Sequence, residues 1–227
     1  MYDPGWSAHD TLSAFLTYRR RRSDTHWVSS LVAVLRDARG ATGRYLATGE
    51  VSPKRRASGS WLGALGYMVM LDQIGECFSP ANASSLPGDP PDFIKALTYF
   101  AEEIPDRERQ ALYALRCCFA HDYSLVNIST RSDRQHHFRL SDDPAPCPLV
   151  DLPAVPWDGN LVRRSIGTAT RVSLRRLGDL AESVYARLLD LHSRRELNIA
   201  LPGGAKELRG RYAFTVYPDA PRGEPRS

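Results

Sequence analysis

A mainly helical bundle with a small β appendage is the fold class predicted for this chain, and three observations predict it. Apolar residues recur at three- and four-residue spacing through the segments before residue 122, and again late in the chain at Leu177, Leu180, Ala181, Val184, Leu188 and Leu191. Short segments of strand character, 123–129 and 136–140, appear only after His121, around a polar turn at 130–135. The chain is 42% hydrophobic and 25% charged, an ordinary globular balance, and its 227 residues suffice for one large domain or two small ones. The late amphipathic helix needs a partner to cover it. A single domain over 1–217, with a β-strand insert around 123–140 and a disordered tail at 218–227, is therefore expected.

Each element has its own signal. Asp10 is placed to cap a first helix carrying Leu12, Phe15 and Leu16, which runs into the basic cluster Arg19, Arg20, Arg21 and Arg22. Ser23 or Asp24 restarts a helix through Trp27, Leu31, Val34 and Leu35, and Gly40 closes it. Residues 43–59 form a polar connection containing Lys54, Arg55 and Arg56. Ser58 or Ser60 caps an apolar helix over 61–74, in which Gly63 and Gly66 cost helix propensity and so imply a tight helix contact. A Pro-, Ser- and Gly-rich loop spans 79–91. Asp92 then opens a helix through Phe93, Leu97 and Phe100, and Pro105 with Asp106 opens the next. After the two strands comes a proline-rich connection at 143–160, then an extended stretch at 171–174 and the late amphipathic helix. Residues 198–201 and 212–217 read as short strands around a turn at Gly203 and Gly204. No internal repeat is visible.

Composition narrows the function classes. The longest apolar run, 61–71, has about 11 residues and is too short to span a bilayer. The start, MYDPGWSAHD, lacks the basic and apolar regions of a secretory signal. Four cysteines without a paired framework suit a reducing, cytoplasmic setting. Net charge is only +4, but all basic residues except Lys54, Lys95 and Lys206 are arginine. Arginine suits bidentate phosphate binding, and GC-rich coding accounts for the bias equally well.

The segment 111–125, ALYALRCCFAHDYSL, carries the chemistry. Arg116 interrupts an apolar helix and His121 follows five residues later. Burying a guanidinium costs free energy and asks for a reason. On a wheel, Leu112, Leu115, Cys118 and Phe119 share one side. Arg116 and His121 lie about 140° apart on the other, with Tyr113, Cys117 and Ala120 between them. That back face carries no Lys, Glu or Gln. Cover by the bundle itself or by a second copy is expected, and on a straight helix the two side chains are not expected to meet. With 27 arginines and six histidines, chance supplies about 0.7 pairs at this spacing. Four occur: Arg21/His26, Arg116/His121, Arg131/His136 and Arg187/His192. Only the second has an apolar helical setting.

LRCCFAHDYSL resembles the Arg-x-x-x-x-His signature of the HEPN family, all-helical domains that are commonly metal-independent ribonucleases acting as dimers. The resemblance is firm over residues 115–125 and loose over 61–120. It implies a HEPN-like helical bundle, an active site shared across a homodimer, His121 as general acid/base and Arg116 as phosphate stabiliser, with no cofactor or metal. Cleavage would proceed through the RNA's own 2′-hydroxyl, a reaction that suits a histidine for proton transfer and an arginine for the developing charge. Arg19 to Arg22 and Lys54 to Arg56 would then hold the RNA backbone, unless they are merely solvated faces. Toxin and phage-defence roles, with an inhibitory partner protein, are common in the family and enter only as implied by the resemblance.

Alternatives remain at this point. The residue after the arginine, often Asn, Asp or His in that family, is Cys117 here, which favours a catalytically inactive HEPN-like interaction or RNA-binding module. Cys117, His121, His136, His137 and Cys147 supply zinc-type ligands, without a Cys-x-x-Cys or His-Glu-x-x-His pattern. On an alternating strand, His136 and His137 would instead point one inward and one outward. Cys117 beside His121 is also a formal nucleophile pair, although cysteines on apolar helices are usually inert.

Overall fold

A computed structural model describes residues 7–17, 26–54, 57–128, 135–143, 145 and 147–216. The architecture is mainly helical, with seven helices and short strands among the described residues. Buried side chains from all seven helices form one contiguous apolar core.

Helix α1 spans Ala8–Leu16 and buries Leu12, Phe15 and Leu16. Its cap is Ser7, not Asp10. Asp10 occupies the third helical position, where its carboxylate accepts from the Ser7 backbone N–H while its own N–H donates to Ser7 Oγ, so the pair forms a reciprocal capping box. The helix stops at Leu16, and Arg19 to Arg22 lie outside the described residues. Strand β1, His26–Ser29, takes Trp27 out of the expected second helix and pairs antiparallel with β8, Ala213–Val216. Helix α2 therefore begins late, spanning Ser30–Ala41. Ser29 caps it by accepting from the Val32 amide and also donates to the Phe15 carbonyl at 2.7 Å, tying α1 to α2.

Helix α3, Ser60–Cys77, is the central element, and no side chain caps its start at Gly59. A Cβ on Gly63 would stand 2.4 Å from Thr42 Cγ2, so the α2–α3 contact requires glycine there. A Cβ on Gly75 would meet the Asp92 carbonyl oxygen at 1.8 Å, which is how α3 receives the start of α4, Asp92–Phe100. Helix α5 spans Asp106–Asp122. Helix α6, Leu174–Ser193, packs against α3 through the core and through ions. Arg39 of α2 makes a two-pronged contact with Glu182 of α6 at 2.9 and 2.6 Å, and Tyr67 of α3 donates to the same carboxylate at 3.0 Å. Arg44 bonds Asp179 at 2.7 Å and the Gly49 carbonyl at 3.0 Å, fixing the connection between α2 and α3.

The β appendage is a four-stranded sheet in the order β3–β4–β6–β5. Strand β3, Val126–Asn127, pairs antiparallel with β4, His136–Ser141, which runs parallel to β6, Thr170–Ser173. Strand β5, Val150–Asp151, closes the other edge. The chain leaving α5 joins this sheet directly, with the Phe138 amide donating to the Leu125 carbonyl at 2.7 Å. Toward the C-terminus, β7, Leu197–Ile199, pairs with β2, Phe78–Pro80. Residues 204–212 form a seventh helix, α7, Gly204–Tyr212, where only strands and a turn were expected. Leu208 anchors α7 in the core, and Arg211 and Tyr212 both bond Glu76 of α3. The tail at 218–227 lies outside the described residues.

Candidate active site on helices α3 and α5

Helix α5 is fully covered on one side and partly covered on the other. Ala111, Leu112, Leu115, Cys118 and Phe119 are buried, Tyr113, Cys117 and Ala120 are half-buried, and His121 is exposed. Arg116 is likewise not sunk in the core: its side chain is 25% exposed. Its Nε donates to Asp72 Oδ2 of α3 at 2.6 Å, and its Nη1 lies 3.5 Å from His121 Nε2. The two side chains thus meet on one helix, contrary to the wheel. Wheel angles locate Cβ atoms, whereas the long arginine stem leans along the helix and carries the guanidinium across the gap.

The electrostatics follow from this geometry. Burial opposes the Arg116 charge, but the Asp72 hydrogen bond and charge, helped by the Cys117 thiol, outweigh it and hold the guanidinium above its ordinary range. Arg116 stays cationic. Burial raises the Asp72 carboxyl above its usual range; the Arg116 bond opposes this, while the Asp92 and Glu76 charges add to it. Tyr113 is raised by burial and by its hydrogen bond with Cys117. Cys118 points the other way, donating to the Leu115 carbonyl at 3.3 Å, and burial pushes its thiol up to about 12, which makes it an inert core residue.

Among the Arg-x-x-x-x-His pairs, the structure separates Arg116/His121 from Arg187/His192. His192 is buried, bonded to Ser13 Oγ at 2.9 Å and stacked on His9, while Arg187 turns outward to Asp190 at 3.0 Å. The arginines of the remaining two pairs, Arg21 and Arg131, lie outside the described residues, as do Arg55 and Arg56. Lys54 stands exposed on the connection before α3.

Two of the candidate zinc ligands are engaged by threonines. His136 and His137 are both buried, His136 bonded to Thr170 Oγ1 at 2.9 Å and His137 to Thr168 Oγ1 at 3.0 Å. Strict alternation fails because residues 136–138 are all buried, with Trp157 edge-on to His137 at 5.2 Å. Among the described residues, no three of His, Cys, Asp and Glu gather as a metal-ligand group. No helix described is long and apolar enough to cross a membrane.

Sequence reasoning passed over three residues here. Asp72 is a lone carboxylate at the end of the apolar run 61–71, and that interruption was its only signal. Trp61 and Tyr123 looked like ordinary helix and strand residues, yet both lie beside Phe119, at 5.8 and 4.8 Å. Comparison with protein-family models, with curated proteins and with solved structures gives no match to this chain.

Proposed function

We propose that Asp72, Arg116 and His121 form half of a metal-independent endoribonuclease centre of HEPN type, completed by a second copy of the chain. The observation that carries this reading is the Arg116–His121 approach of 3.5 Å, with Arg116 held from behind by Asp72. Asp72 occupies Nε, and Nη1 lies 3.5 Å from His121 Nε2. A phosphate beside His121 would receive two donors in the geometry that a guanidinium offers. His121 is exposed and so within reach of a substrate. It would take the proton from the 2′-hydroxyl or return one to the departing 5′-oxygen, while Arg116 offsets the added charge on phosphorus. The products would be a 2′,3′-cyclic phosphate and a 5′-hydroxyl. One exposed histidine cannot act as base and acid at once, and a second pair across a two-fold axis supplies the other role.

The surface suits such pairing. Tyr113, Cys117 and Ala120 form an uncharged half-buried face on α5, and Leu62 and Val69 are exposed on neighbouring α3. Arg19 to Arg22 and Lys54 to Arg56 are the proposed backbone contacts of the RNA. The test is purified chain with RNA and chelator, together with light scattering. Cleavage to cyclic-phosphate ends by a dimer is expected. RNA binding without cleavage would instead favour the inactive module that Cys117 suggests, and a monomer at tens of micromolar would overturn the shared site.

A further inference from the structure

Tyr123 ends α5 with φ 50° and ψ 35°, the left-handed conformation. A glycine or asparagine takes that shape readily, whereas a tyrosine is strained by it. A strained aromatic two residues from His121 asks what its ring does. One face of the ring lies on Phe119, with centroids 4.8 Å apart and planes only 18° apart. Trp61 flanks both rings, 5.8 Å from each and edge-on to Phe119 at 70°. Phe119 is buried and holds the set in place, yet Tyr123 stays 48% exposed and Trp61 38%. The result is a partly exposed aromatic ledge anchored in the core by Phe119, at the end of α5 that carries His121.

We infer that this ledge is a nucleobase subsite, stacking one unpaired base of the bound polymer beside the phosphate held by Arg116, so that single-stranded RNA is the substrate class. The inference rests on the nuclease reading for the polymer's identity. The chemistry is direct. Every base presents a π-face, and stacking on an exposed aromatic ring is sequence-tolerant. A base inside an A-form duplex has both faces occupied by its neighbours and cannot reach such a ledge, whereas a base in a loop or single strand can. Tyr123 caps the C-terminal end of α5, beyond Ala120. The ring set thus selects for unpaired RNA, and Arg116 and His121 act on the adjoining phosphate.

The experiment titrates the full chain with a 2′-O-methyl adenosine hexamer, which cannot be cleaved through its blocked 2′-oxygen. An abasic hexamer and a duplex form serve as comparisons. Binding of the hexamer with quenched tryptophan emission is expected, and Trp61→Leu should lose most of that quench. Tyr123→Asn, which suits the left-handed backbone, should weaken binding by about 5- to 140-fold. Tyr123→Phe should bind as the parent does, and the abasic and duplex probes should bind as weakly as Tyr123→Asn. Equal affinity for base-bearing and abasic hexamers would overturn the ledge. So would an emission change that follows protein concentration instead of hexamer, which would assign the rings to the second copy. Base-dependent binding in a chain that never cuts RNA would remove the nuclease reading and leave the ledge standing. Cleavage at the parent rate by Tyr123→Asn, with base-independent binding, would do the reverse.

Discussion

Replacing Asp72 by asparagine separates positioning from stability. In the folded chain Asp72 and Arg116 make a 2.6 Å ion pair with side chains 22% and 25% exposed. Burial raises the Asp72 carboxyl despite that pairing. A carboxyl whose folded pKa lies above its unfolded value binds protons more readily when folded, so its ionised form does not stabilise the fold at neutral pH, and stability grows as pH falls through the folded value. Asp72→Asn removes the desolvated charge and keeps an acceptor for Arg116 Nε. The two effects oppose, and the expected change in stability is less than about 1 kcal/mol, or under about 4 °C in a chain of this size. The rate should respond far more. A charge-assisted hydrogen bond is roughly twice as strong as a neutral one. A guanidinium displaced by about 1 Å from the phosphate costs on the order of 10²-fold. Thermal unfolding by circular dichroism and kcat/KM on a short RNA measure the two quantities on the same preparation. Full retention of rate in Asp72→Asn would refute the positioning argument. Melting lowered by more than 10 °C, with activity lost in proportion, would show Asp72 to be structural only.

Glu182→Ala should be the converse, costing about 3 to 5 kcal/mol because it strands Arg39, only 8% exposed, without its partner. Urea unfolding checks it, and cleavage per folded molecule should be unchanged. Burial, with His9 adding, lowers the pKa of His192, and burial, with Arg164 adding, lowers that of His137, both from 6.5. These two histidines therefore take up protons more readily in the unfolded chain below about pH 6.5, so their contribution to stability is full above that and declines toward pH 5. His192→Gln should flatten the decline in a melting series between pH 8 and 5, and an unchanged slope would remove His192 from the account.

What could be read from residues alone depended on how local the cause was. The span of α5 was legible because Pro105 and Asp106 open it and its apolar stripe is local. So were α4, α6 and the extended stretch that became β6. The first two helices were extended too far, since nothing in the residues near Trp27 reveals that β8, far along the chain, pairs with them as β1. Helix α7 was missed for a similar reason: its stability comes from Leu208 in the core and from bonds of Arg211 and Tyr212 to distant Glu76, not from its own pattern. The candidate site was half legible. Arg116 and His121 stood out by context, whereas Asp72 and Trp61 join them only because α3 packs against α5.

The most direct measurement is RNA cleavage, with chelator present, by His121→Ala, Arg116→Ala and His192→Ala, each normalised to folded protein by circular dichroism. A general acid or base contributes roughly 10² to 10⁴ in rate. The account predicts a loss of at least that order in His121→Ala and in Arg116→Ala, while His192→Ala, at the same spacing but bonded into the core, cuts at the parent rate. Full activity in His121→Ala, or activity that disappears with chelator and returns with zinc, would contradict it.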